Sequence, residues 1–144
     1  ERAIPANILL ATPQGPADLE VTVDDVHILR DPGTGIVTHT NHCLHPDLVP
    51  INEDFPELIE SHPRKRRIDA LLVDAPRPLQ LEDLQNALRD PNGEPRSICR
   101  HANDHPETGF WVSVFSVIIE ANTQRMHVSR GNPCENDYQT YTLN

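Results

Sequence analysis

The chain is short of aromatic residues, of basic charge and of paired cysteines, and each shortage closes off a class of protein. Among 144 residues there are only 3 Phe, 2 Tyr and 1 Trp, so a core must be built mainly from aliphatic side chains. The 12 Lys and Arg stand against 22 Asp and Glu, a net charge of -10. That disfavours sequence-independent nucleic-acid binding, which needs a basic surface. No apolar run approaches the length of a membrane helix, and no stretch has the pattern of a signal peptide. There is no C-x-x-C pair: Cys43, Cys99 and Cys134 lie far apart, and three cysteines cannot all pair internally. The expectation is therefore free thiols in a reducing compartment, hence an intracellular, cytoplasmic protein without a membrane or nucleic-acid partner.

What the sequence does have is proline. Its 14 Pro are about twice the usual share, which predicts long loops between short elements. Apolar periodicity recurs nonetheless, so the chain does not read as disordered. The length suits one domain over residues 1–144 with a real core.

Asn7 to Thr12 is a short apolar run closed by Pro13-Gln14-Gly15-Pro16, the pattern of a strand. Leu19, Val21 and Val23 alternate with polar residues, and Val26 and Ile28 resume after Asp24-Asp25. Asp31-Pro32-Gly33-Thr34-Gly35 is a turn, and Ile36-Val37-Thr38 reads as the start of another strand, so the first forty residues predict an antiparallel meander. A Pro-rich loop follows. Glu57 to Glu60 reads as a helical turn, and Ser61-His62-Pro63 as the cap and first turn of a helix over 63–74. Leu81, Leu84 and Leu88 mark a second helix over 80–90. Trp111 to Glu120 predicts a strand buried on both faces, and Arg125 to Arg130 its partner. Tyr138, Tyr141 and Leu143 fit a short last strand. Strands, two helices and strands again give α+β with mostly antiparallel sheet.

Chemistry concentrates in Thr38-His39-Thr40-Asn41-His42-Cys43. His39, His42 and His45 recur every three residues and could gather a metal on a helix, but the segment leaves a strand, Pro46 follows, and no zinc spacing is present, so no metal is expected. Asn41 offers two N–H donors without charge, which suits an oxyanion stabiliser as well as a strand-end turn. Cys43 with His42, and Cys99 with His101, are candidate Cys–His pairs, weakened because neighbours on a strand face opposite ways. The run Arg64-Lys65-Arg66-Arg67 reads as a solvated helix face, with an anion docking site as the rival.

Gly35-Ile36-Val37-Thr38-His39-Thr40-Asn41-His42-Cys43-Leu44 resembles the His-Thr-Asn-His segment of the acyl-coenzyme A:isopenicillin N (6-aminopenicillanic acid) acyltransferase family. Ser97-Ile98-Cys99-Arg100-His101, the run Ser113 to Glu120, Gly131-Asn132-Pro133-Cys134 and the Tyr-containing end match the same family in order. The resemblance implies the C-terminal part of an αββα sandwich of the N-terminal nucleophile (Ntn) hydrolases, made as a precursor that cuts itself. It implies a cysteine amidohydrolase or acyltransferase working through a thioester acyl-enzyme, with Asn41 steadying the oxyanion and Thr40 and His42 binding substrate. No cofactor is implied; acyl-coenzyme A would be a substrate. None of the three cysteines occupies the family's nucleophile position, so the attacking Cys is expected on an N-terminal segment or subunit. Gly109-Phe110-Trp111 stands where some relatives carry a Ser-Arg or Arg-Ser pair, which counts against penicillin-type substrate handling and favours a more generic amide hydrolase or acyltransferase; the expected substrate is a small-molecule acyl amide or acyl thioester. The rival classes are a non-catalytic fragment or binding module retaining the scaffold, and a metal domain using His39, His42 and His45. Should a covering segment be missing, a half sandwich would expose apolar surface and self-associate into a homo-oligomer.

Overall fold

A computed structural model of the chain describes residues 5–52, 56–107 and 109–142. They form two compact units, Glu1–Lys65 and Arg66–Asn144. Among the described residues, two small antiparallel sheets and two α-helices make the chain α+β.

In the first unit, β1 (Ala6–Thr12), β2 (Gly15–Val21) and β3 (Val26–Arg30) form a meander in the order β1-β2-β3. The predicted hairpin residues Pro13 and Gln14 make its first turn, where the Thr12 hydroxyl donates to the Gly15 carbonyl at 2.6 Å. Register places Ile8, Leu19 and Ile28 opposite one another, so the apolar alternation defines one face. That face is open: Ile8 is 44% and Ile28 50% exposed. The other face carries Asp18 and Glu20, and both are buried. The segment from His39 to His45 caps this polar face through hydrogen bonds to Glu20.

Ile36-Val37-Thr38 is not a strand. Neither edge of the meander, β1 or β3, pairs with it among the described residues, so its backbone has no ladder to join. The turn before it does form: the Asp31 carboxylate accepts from the amides of Thr34 and Gly35. A 3-10 turn at Val49–Ile51 follows in the Pro-rich loop.

The helix predicted over 63–74 begins earlier. α1 runs over Pro56–Asp74 with Pro63 inside it. Ser61 is thus an interior residue and not the cap. A mid-helix Pro removes one backbone hydrogen bond. The helix persists through it because side chains on both sides of Pro63 are anchored, Ser61 to the His39–His42 segment and Arg67 to Asp90.

In the second unit, α2 (Leu81–Leu88) lies within the predicted 80–90 window. Asp83 accepts from the Gln80 amide at 2.8 Å and closes its N-terminus. The second sheet has β4 (Phe115–Glu120), β5 (Arg125–Arg130) and β6 (Gln139–Thr142) in that order, and α2 packs on β4. Buried apolar side chains here are Leu72, Ala87, Cys99 and Ile118. The strand predicted from Trp111 starts four residues later. The Ser113 amide goes to the Arg100 carbonyl and the Val114 carbonyl accepts from Gly131, so loops take the groups a ladder would use. Nor is β4 buried on both faces. It is an edge strand whose Ile118 faces inward while Phe115 and Ile119 are 63% and 62% exposed. No helix among the described residues is long and apolar enough to cross a membrane.

Candidate functional site

Ser61 and Arg64 lie three residues apart on α1, a spacing that shares one helix face. That face meets the Thr40–His42 segment. The Ser61 hydroxyl, fully buried, accepts from the amide of Asn41 at 2.7 Å and from that of His42 at 3.2 Å. It also lies 2.8 Å from the Thr40 hydroxyl and 2.7 Å from His42 Nδ1. Its two lone pairs are spent on the amides, so its single proton goes to one of these two. Burial, followed by the neighbouring charge of His62, pushes the His42 imidazole down to about 4. His42 is therefore neutral at pH 7, with one ring nitrogen carrying the hydrogen and the other free to accept. Its ring packs against that of His62, with centroids 3.8 Å apart and the planes tilted by 40°.

Asn41, held by its backbone, projects its side chain to an exposed position. Arg64 Nη2 donates to Asn41 Oδ1 at 2.5 Å. A guanidinium has donors only, so the amide oxygen must face Arg64 and the NH2 group must face away. Asn41 Nδ2 has no acceptor among the described residues. The amide is thereby oriented, and the guanidinium pulls electron density toward its oxygen.

Glu20 anchors the other side of the segment. It accepts from His39 Nε2 at 2.8 Å and from the amides of Leu44 at 2.5 Å and His45 at 3.0 Å. Burial works to raise its pKa, but the amide donors and His39 outweigh it, and the carboxylate is held below its ordinary range. Asp18, two residues along and on the same face, goes the other way: burial pushes it up against the lowering effect of Asn7. The two carboxyls thus differ in their tendency to ionise.

The three histidines spaced by three go to separate places. His39 joins Glu20, His42 joins Ser61, and His45 packs against His27 at 4.6 Å with Asp47 at 3.6 Å from its Nδ1. Among the described residues they form no common ligand set. Cys43 and His42 do not pair either. The Cys43 backbone is held by the Asn52 side chain in both directions, at 2.8 and 3.1 Å. Burial, then the Glu20 charge, raises the Cys43 thiol above its usual value, the opposite of activation.

Cys99 and His101 are close, with Sγ and Nε2 at 3.9 Å, but Cys99 is bonded to Cys134. The expectation of free thiols is corrected for Cys99 and Cys134, which are bonded to each other, and Cys43 is free. The pairing was not legible because the two cysteines are 35 residues apart and meet only where the 97–101 loop crosses the turn after β5. The basic run is likewise not a solvated face throughout. Arg64 holds Asn41, and Arg67 makes two 2.8 Å bonds to Asp90. Ser61, Arg64 and Glu20 were the site residues that sequence reasoning missed. Only the Ser61–Arg64 spacing hinted at a shared face; the loop that meets it is set by tertiary structure.

No curated protein matches the chain. The model of the family described as acyl-coenzyme A:6-aminopenicillanic acid acyl-transferase matches residues 1–135, a span holding both the Thr40–His42 segment and the Cys99–Cys134 region. On that match the chain belongs to the acyl-coenzyme A:6-aminopenicillanic acid acyl-transferase family.

Proposed function

We propose that residues 1–144 are the C-terminal part of one catalytic unit of a self-cleaving cysteine Ntn amidohydrolase or acyltransferase. Asn41 donates to the oxyanion. The observation that carries this is the Asn41 amide, whose oxygen is held by Arg64 and whose NH2 group points outward from an exposed position. Such a donor is pre-aimed and needs no reorganisation when charge develops. Thr40 and His42 flank it as the substrate-binding wall, shaped by Ser61. Arg64 also supplies a guanidinium beside the site.

In this reading the attacking thiol is none of the three cysteines here, which the Cys99–Cys134 bond and the raised pKa of the Cys43 thiol support. It belongs to an N-terminal Cys elsewhere in the protein, whose α-amine has an ordinary pKa near 8 and takes the thiol proton. The thiolate attacks the acyl carbon of an amide or of acyl-coenzyme A, the family's named acyl donor. A C–S bond forms, the C–N or C–S bond to the leaving group breaks, and that group departs with the proton. Water or an amine then accepts the acyl group from the thioester. Buried polar residues on one face of each sheet and exposed large apolar residues on the other support reading the sheets as layers of an αββα sandwich.

The test is peptide mapping of the full-length protein after acid quench with an acyl amide or acyl-coenzyme A. An acyl mass on a Cys other than Cys43, Cys99 and Cys134 is expected. Neither adduct nor turnover would leave the non-catalytic scaffold as the reading.

A further inference from the structure

Cys99, His101 and Cys134 bring three ligand atoms within 4.8 Å of one another. They play no part in the acyl chemistry proposed above. We propose that, once the Cys99–Cys134 bond is reduced, these three residues bind one thiophilic divalent cation such as Zn2+, with water in the fourth position.

The surroundings are those of a metal site. Cys99 is fully buried, while Cys134 and His101 are partly exposed and give access. His101 points Nε2 at Cys134 Sγ, 3.1 Å away, and its other nitrogen, Nδ1, lies 3.6 Å from Glu135 Oε1. A carboxylate behind a ligating imidazole fixes the tautomer that leaves the opposite nitrogen free for a metal. The Cys134 amide approaches Cys99 Sγ at 3.4 Å and Asn132 Nδ2 approaches it at 3.9 Å. Both aim N–H groups at a buried sulfur, and such donors favour the charged thiolate over the neutral thiol. Asn132 is itself fixed by a 2.7 Å bond to the Arg100 carbonyl. The Asp18–Glu20–His39 group differs, because its Glu20 oxygens are already spent on the amides of Leu44 and His45.

Disulfide and metal exclude each other. A small dithiol reductant attacks Cys134, the more exposed sulfur, forming a mixed disulfide and releasing Cys99 as thiolate. The reductant's second thiol displaces Cys134 and closes the reductant's own disulfide, so two electrons enter the protein. Zinc then takes two thiolates and a neutral imidazole, and any thiol proton still present is released. The sulfurs separate to about 3.8 Å, the spacing of two thiolates on a tetrahedral zinc, which rotation of the partly exposed Cys134 side chain can supply.

The experiment uses the full-length protein reduced with a dithiol, exchanged into weak-chelator buffer and titrated with Zn2+ alone, with bound metal counted by atomic spectrometry. The proposal expects close to one zinc per chain when reduced and none when oxidised. His101→Ala keeps the disulfide available for folding. It should weaken reduced-state binding at least a hundredfold, whereas Glu135→Gln should weaken it about ten- to a hundredfold. Cobalt substitution of the reduced wild type should show thiolate-to-metal charge transfer, which needs no variant. Absence of that band, or zinc uptake unchanged by His101→Ala, would overturn the proposal and leave a structural disulfide only. Neither result bears on Asn41 or the acyl-enzyme.

Discussion

At the scale of single residues, the site is a matter of who holds whom. The Asn41 segment was legible as chemistry because hydroxyl, imidazole, amide and thiol crowd into six positions. How each group is held was not legible, because that depends on Ser61, Arg64 and Glu20, far away in sequence. Arg64→Ala should lower kcat about tenfold, equivalent to ~1.4 kcal/mol of barrier, with KM little changed, since Asn41 keeps its amide but loses its aim. Arg64→Lys should recover part of this. A KM effect alone would assign Arg64 to substrate binding. His42 gives a pH prediction. Its imidazole, at about 4, lies below the ordinary histidine value. A depressed histidine contributes stability that is present above its unfolded pKa and is lost as pH falls toward the folded one. The urea midpoint should therefore drop between pH 6.5 and 4. Glu20, also lowered, adds to the acid-side loss. His42→Gln should flatten the upper part of this profile; an unchanged slope there would contradict the neutral buried imidazole.

At the scale of elements, the strands and α2 could be read because their apolar alternation and turn residues agree with one another. The departures have one cause: local pattern does not reveal partners. Ile36–Thr38 has strand composition but no neighbouring edge, and Trp111–Val114 has its backbone groups taken by loops. α1 passes through Pro63 because anchors on either side outweigh one lost bond. The anchor on the C-terminal side is the Arg67–Asp90 pair, where Asp90 is buried and Arg67 partly exposed. Asp90 also accepts from Asn92 at 2.6 Å. Asp90→Ala should cost about 2 kcal/mol in denaturant unfolding, the range for hydrogen bonds to charged groups. The exposed Arg66→Ala, from the same basic run, should stay within about 0.5 kcal/mol. Equal losses would show that the pair does not anchor the helix.

At the scale of the whole molecule, each sheet buries polar residues on one face, Asp18 and Glu20 in the first and His127 and Ser129 in the second, and leaves large apolar side chains exposed on the other. In the first, Ile8, Leu10, Val26 and Ile28 are exposed; in the second, Phe115, Val117, Ile119 and Tyr141. This inverts the usual arrangement, in which the apolar face is the covered one. Near-continuous apolar content in β4 suggested burial on both sides; the pattern reports that a side chain is apolar, not whether a neighbour lies over it. The 144-residue chain by itself should self-associate, and Ile28→Lys with Phe115→Lys should reduce this. A clean monomer by light scattering at high concentration would show that the open faces need no partner.

Steady-state turnover of an acyl amide by Asn41→Ala in the full-length protein is the sharpest test of the Asn41 amide as oxyanion donor. A fall in kcat of about a hundredfold is expected, with the fold retained and KM nearly unchanged. Wild-type turnover in Asn41→Ala would contradict it.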